Sequence, residues 1–76
     1  MKVTRAQILK LLVDAGIPQE VVSTLKPSVP LTDQGIDSVD FPAVLVAIKE
    51  QFGVAIDDKE ASRIRTLIDM EKRLNR

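Results

Sequence analysis

Ser38 follows Asp37 in the stretch Gly35-Ile36-Asp37-Ser38-Val39-Asp40-Phe41-Pro42-Ala43-Val44, and a serine hydroxyl at that place has two uses. It can cap a helix by satisfying one of the amide groups that every helix start leaves unpaired. It can also be presented to solvent beyond a tight turn and carry a covalent group. Gly35 can supply the turn, and the first turn of a helix favours an anion through its free amides and its dipole, so a phosphodiester on Ser38 would be tolerated there. Nothing in the chain equips Ser38 as an autonomous nucleophile. There is no histidine, cysteine, tyrosine or tryptophan, which removes the commonest general base, the usual nucleophile–base pairs and most designs for a metal site. The composition argues against a self-sufficient enzyme and against a bound metal.

The elements that must position Ser38 read as helices. Thr4 with Gln7 forms a capping-box pattern, and Ile8, Leu9, Leu12 and Ala15 fall on one face, so a first helix spans about residues 4 to 15, with Gly16 as its stop. Pro18 opens a short helix holding Val21, Val22 and Leu25, which Pro27 and Pro30 cannot continue. A long loop runs from there to about Asp37, and loops of that length often carry function. Phe41, Leu45, Ile48 and Phe52, with Val44 beside them, give the longest and most apolar helix, which exits at Gly53. Asp57 or Asp58 caps a short segment with Ala61 and Ile64. Thr66 with Asp69 opens a last helix holding Leu67, Met70 and Leu74. No segment alternates with period two. The expected fold is all-α: one domain over residues 1–76, a small bundle of three main helices plus short ones, with an aliphatic core.

Pro42 conflicts with a helix that begins at Ser38, because it cannot donate to the Ser38 carbonyl and its ring crowds that group. Either the helix starts at Ser38 and bends, or the regular helix begins near Asp40 to Pro42 and Ser38 sits in a looser lead-in turn. The first outcome is favoured, since it keeps Phe41 in register with Leu45 and Ile48.

Eleven basic and eleven acidic residues balance, but unevenly. Residues 1–27 carry +2, residues 28–56 carry −3 and the remainder +1. So small an asymmetry gives neither a nucleic-acid footprint nor a membrane-surface patch. Lys10 and Asp14 interrupt the apolar run after Lys2 and Arg5, and no stretch approaches a membrane span. A soluble, cytoplasmic monomer is expected. The tail with Arg63, Arg65, Lys72, Arg73 and Arg76 reads as a solvated face whose charge Asp69 and Glu71 offset, with binding of an acidic partner as the alternative.

Gly35-Ile36-Asp37-Ser38-Val39 resembles the Gly-x-Asp-Ser-Leu motif of acyl carrier proteins. Val29-Pro30-Leu31-Thr32-Asp33 resembles that family's loop before the motif, Glu50-Gln51-Phe52-Gly53-Val54-Ala55-Ile56 the end of its second helix, and Asp58 to Leu67 the approach to its final helix, so the likeness covers roughly residues 4 to 75. The resemblance implies a non-catalytic carrier. Its phosphopantetheine arm would be attached to Ser38 by a phosphopantetheinyl transferase, with Asp37 as the motif neighbour that the transferase reads. Acyl-loading and acyl-processing enzymes of fatty-acid, polyketide or specialised lipid biosynthesis would be its partners. An aminoacyl or peptidyl carrier is the alternative within the class, and a plain helical interaction module the alternative outside it. Partner contact falls to Val39, Asp40, Val46 and Glu50, with Val39 in place of the motif leucine. A sheltered acyl chain would lie near Leu45, Ile56, Ala61, Ile64 and Leu67. Gln34 stands where the family has a leucine and is expected to anchor the loop less well. Ala43 and Lys49 replace acidic positions of the second helix, which weakens electrostatic steering and favours a dedicated pathway.

Overall fold

The computed structural model describes residues 2–76. Five α-helices follow one another: α1 (Arg5–Asp14), α2 (Gln19–Val22), α3 (Phe41–Phe52), α4 (Asp58–Ala61) and α5 (Leu67–Leu74). Two short 3₁₀ helices, Leu31–Gln34 and Ser38–Asp40, lie between α2 and α3, and no strand occurs among the described residues. The long loop expected before Asp37 thus has structure of its own.

Local chemistry explains the boundaries. Thr4 accepts from the Gln7 N–H at 3.2 Å while the Gln7 side chain accepts from the Thr4 N–H at 2.8 Å, closing the capping box of α1. Asp57 caps α4 by accepting from the Glu60 N–H at 2.8 Å. Gly53 ends α3 in the left-handed region, at φ 69°, where its N–H still reaches the Lys49 carbonyl.

The core draws from every segment. α1 gives Ile8, Leu11 and Leu12, α3 gives Val44 and Ile48, α5 gives Leu67, Met70 and Leu74, and Ile17, Val22 and Ile64 fill the gaps. Leu11 takes the central place expected of Leu9, and on α3 the fully buried pair is Val44 and Ile48, with Phe41, Leu45 and Phe52 packed at their margin. Two residues of the α2–α3 connection, Leu31 and Ile36, are completely buried. At roughly 1.5–3 kcal/mol for each such side chain, they hold the connection onto the bundle. Backbone bonds reinforce them: the Leu31 N–H donates to the Arg65 carbonyl at 2.8 Å and the Ile68 N–H to the Pro27 carbonyl at 3.2 Å.

The ends of the chain are also tied. Asn75 Oδ1 accepts from the Val3 N–H at 2.6 Å and its Nδ2 donates to the Val3 carbonyl at 2.9 Å, while Arg5 pairs with Glu71 at 2.6 Å. At the start of α5 the Asp69 carboxylate accepts from the N–H groups of Arg65 at 3.1 Å and Thr66 at 3.2 Å. Those bonds, the Arg65 amide first, hold its pKa below 3.8. A carboxyl whose folded pKa is depressed contributes fully above its unfolded value and loses that contribution as pH falls through the folded one. Asp69→Asn should therefore be less stable than wild type near neutrality, and urea titrations should show the difference closing as pH falls through the depressed folded pKa of Asp69. Thr66→Ala, which removes the reciprocal cap, should cost about 1 kcal/mol in the same titration.

Candidate functional site

Ser38 lies where the buried connection gives way to α3. Ile36 is fully buried, and Gly35 before it turns the chain at φ 93° with its α-carbon facing the methyl groups of Val21. Asp37 then runs extended, at φ −79° and ψ 158°, and occupies the cap position of the 3₁₀ helix Ser38–Asp40. The Asp40 carboxylate accepts from the Asp37 N–H at 3.0 Å and the Asp40 N–H donates to the Asp37 carbonyl at 3.0 Å. Ser38 is the first residue inside this turn and is exposed. Its hydroxyl makes no hydrogen bond among the described residues, so the capping role open to it in the sequence is not the one it plays. Ser23, Thr24 and Ser62, by contrast, donate their hydroxyls to nearby carbonyls, and Thr4 and Thr66 cap helices.

The favoured expectation of an α-helix bending from Ser38 is corrected. The regular helix begins at Phe41, and the Ser38 carbonyl accepts instead from the Phe41 N–H in a 3₁₀ bond. The cause is the missing N–H of Pro42. In the first turn of α3 an amide has no intrahelical partner to lose, so proline is accommodated there without a broken bond. Phe41 keeps its register and packs on the core margin.

Gln34 is a second correction. Its Oε1 accepts from the Lys26 N–H at 2.7 Å, and its Nε2 donates to the carbonyls of Lys26 and Val29, both at 3.0 Å. In place of an apolar plug, a three-bonded polar clamp anchors the loop. The loop in turn forms one wall of a groove of about 530 Å³ that opens beside Ser38. Pro30, Thr32 and Asp33 stand on that wall, Asp58, Ala61, Ser62, Ile64 and Arg65 on the other, and Phe41 lies between them. Sequence reasoning missed most of these wall residues. Ala61 and Ile64 were expected beside a sheltered chain; for Pro30, Thr32 and Asp33 the signals were the length of the connection and the resemblance of Val29 to Asp33 to the family's loop.

The residues expected to touch partners divide into two groups. Val39 and Val46 are 79% and 57% exposed and both belong to the outer surface. Val46 and Glu50 share a shallow groove with Pro42, Ala43, Ala47 and the end of α1, whereas Asp40 is half-buried and already bonded to Asp37. Of the residues expected to shelter a chain, Leu45, Ala61 and Ile64 meet around an internal void with Phe41, Val44, Ile48 and Met70. Ile56 and Leu67 stand outside its lining. The void holds about 10 Å³, no more than a single water requires, so the bundle is closed at this point. Behind it, Arg73 reaches from α5 to the Glu60 carboxylate and the Ala55 carbonyl, and the Arg73 guanidinium holds Glu60 below its ordinary pKa.

A family model described as "Phosphopantetheine attachment site" matches residues 6–74. The "Acyl carrier protein, mitochondrial" of Dictyostelium discoideum is 42% identical over 41 residues, which is 54% of this chain and 34% of the relative. The match thus spans about a third of that relative's length. No solved structure matches. The cytoplasmic location expected from the sequence is overturned by this mitochondrial relative. That expectation rested on the charges interrupting the apolar run of residues 8–13, a pattern that bears on membrane insertion and not on compartment. No helix among the described residues is long and apolar enough to cross a membrane.

Two variants test the geometry. Pro42→Ala restores an N–H that can donate to the Ser38 carbonyl. The amide at position 42 should become protected from hydrogen exchange while net stability moves by no more than about 1 kcal/mol. Gln34→Ala should cost about 1–2 kcal/mol and speed exchange at the Lys26 amide.

Proposed function

Because the chain belongs to the phosphopantetheine-attachment family of acyl carrier proteins, a family of carriers and not catalysts, we propose that Ser38 bears the phosphopantetheine arm. The observation that carries this reading is the unpartnered hydroxyl of exposed Ser38, a residue that lines the groove. Its surroundings fit the group. The N–H groups of Ser38 and Val39 have no acceptor among the described residues and belong to the start of the turn that carries the hydroxyl. Apolar Pro30, Phe41, Ala61 and Ile64 and polar Thr32 and Ser62 line the adjoining groove, which suits a chain of alternating methylene and amide groups. When bound, the arm supplies the terminal thiol on which an acyl group is held as a thioester. That explains how a chain without cysteine or histidine can take part in acyl chemistry.

The residues of this chain then act by presentation. The 3₁₀ turn fixes the Ser38 oxygen outward, and Ile36 in the core and the Gln34 clamp keep that turn from moving with the cargo. Asp37, exposed on the neighbouring position, is free to meet a phosphopantetheinyl transferase. Val39 and Val46 offer apolar contact and Glu50 a charge to acyl-loading and acyl-processing enzymes. With Ala43 and Lys49 also exposed on α3, Lys49 offsets Glu50 and the helix carries no net acidic charge, which favours a dedicated set of partners over ones guided by acidic charge. The closed void near Leu45 and Ile64 favours cargo that rests in the groove and reaches the core only if the bundle opens.

Incubation with coenzyme A and a broad-specificity phosphopantetheinyl transferase, followed by intact-mass measurement, should give a single phosphopantetheinyl addition that Ser38→Ala abolishes. Addition to Ser38→Ala at the wild-type rate would assign the arm to another hydroxyl.

A further inference from the structure

The charge left over by the carrier reading sits on α5 and the segment before it. A cleft of about 310 Å³ opens there over Ile64, between Arg63 and the last two turns of α5. Its two carboxylates have internal partners. Glu60 is bound by Arg73, with Arg76 at 4.0 Å, and Asp69 accepts from backbone N–H groups at the start of α5. Arg63 and Lys72 are exposed and make no side-chain hydrogen bond or ion pair among the described residues, and Arg76 adds a third cation at the rim. Asp57 acts on Glu60 and Arg73 from the cap of α4 without lining the cleft, and the carboxylates of Asp33, Asp37 and Glu50 lie on the loop and α3, elements that contribute nothing to it.

The cleft borders the proposed carrier site. Ile64 lines both it and the groove beside Ser38, and the arginines on either side of Ile64 divide between them, Arg63 in the cleft and Arg65 in the groove. Something seated on Arg63 and Lys72 would therefore lie against the wall along which a Ser38-bound group passes. We infer that this basic cleft is a docking surface for an acidic protein segment, which orients a partner on the α4–α5 side of the molecule. The inference rests on the carrier reading, because it is the arm that gives a partner reason to approach that wall.

An acidic polypeptide fits better than the other anions. A compact inorganic phosphate would have to enter beside Glu60 and Asp69, which repel it. An anionic lipid surface needs an apolar face to insert, and the large exposed apolar residues Val13, Val39 and Val46 are on α1, the Ser38 turn and α3, not at this cleft. Carboxylates spaced along a polypeptide can meet Arg63, Lys72 and Arg76 separately and avoid the two internal acids. Such a contact steers encounter and weakens with salt.

The test is an amide chemical-shift titration of the full chain with a polyglutamate peptide, with inorganic phosphate, and with phosphatidylcholine vesicles with and without phosphatidylglycerol. Saturable shifts confined to residues 60–65 and 69–76 with the peptide are expected. Arg63→Glu with Lys72→Glu should weaken them by about tenfold. The neutral pair Arg63→Gln with Lys72→Gln should weaken them less, while keeping the wild-type spectrum elsewhere as evidence of fold. Peptide shifts that are absent, or spread equally over Lys2 and Lys10, overturn the inference, as does saturable binding of phosphate or of the anionic vesicles in their place. Transferase modification of the same variants keeps the two readings apart. A wild type that is modified but shows no saturable peptide binding refutes the docking surface alone, whereas an unmodified wild type refutes the carrier site.

Discussion

Pro42 has no N–H to give to the Ser38 carbonyl, and the segment around Ser38 is arranged around that absence. An α-helix starting at Ser38 would need the missing bond and would press the proline ring on the same carbonyl. The chain instead makes a 3₁₀ turn over Ser38–Asp40, closes it with the Phe41 N–H and begins regular helix at Phe41. Because Asp37 takes the cap position, the hydroxyl of Ser38 is released from the structural work that a serine at a helix start usually does. What holds the turn in place is burial on both sides, Ile36 before it and Val44 after it, both fully inside a core of aliphatic side chains.

A domain of this size has little apolar area to spend on a loop. Two of the thirteen buried residues among those described nevertheless come from the α2–α3 connection, and the connection is cross-linked to the α4–α5 side through the Leu31 and Ile68 amides. The result is a groove between two tethered walls, with Ser38 in its lining. On the proposed reading this division leaves motion to the group on Ser38, in keeping with a family of carriers and not catalysts.

Much of this was legible in the sequence where the signal is local. The reciprocal caps at Thr4 with Gln7 and Thr66 with Asp69, the glycine exit at Gly53 and the three long helices follow from short-range rules, and the structure keeps each of them. Pro42 was legible as a conflict, but its resolution was not. Both ways of accommodating a proline keep Phe41 on the core, and register alone could not choose between an α turn and a 3₁₀ turn. Gln34 misled for a related reason. A polar residue at an apolar position reads as a lost anchor unless the carbonyls of Lys26 and Val29 are known to be within reach of its amide. The groove walls and the tie between Val3 and Asn75 join residues far apart in the chain, and no spacing rule connects them.

The central claim is that Ser38 carries the phosphopantetheine arm, and it is tested most directly on protein recovered from its native cell. Tandem mass spectrometry of the peptide spanning residues 27–49 should place the phosphopantetheinyl mass on Ser38 and on no other hydroxyl. Fragment ions placing it on Ser28 or Thr32, the other hydroxyls in that peptide, or recovered protein in which Ser38 is wholly unmodified, would contradict the account.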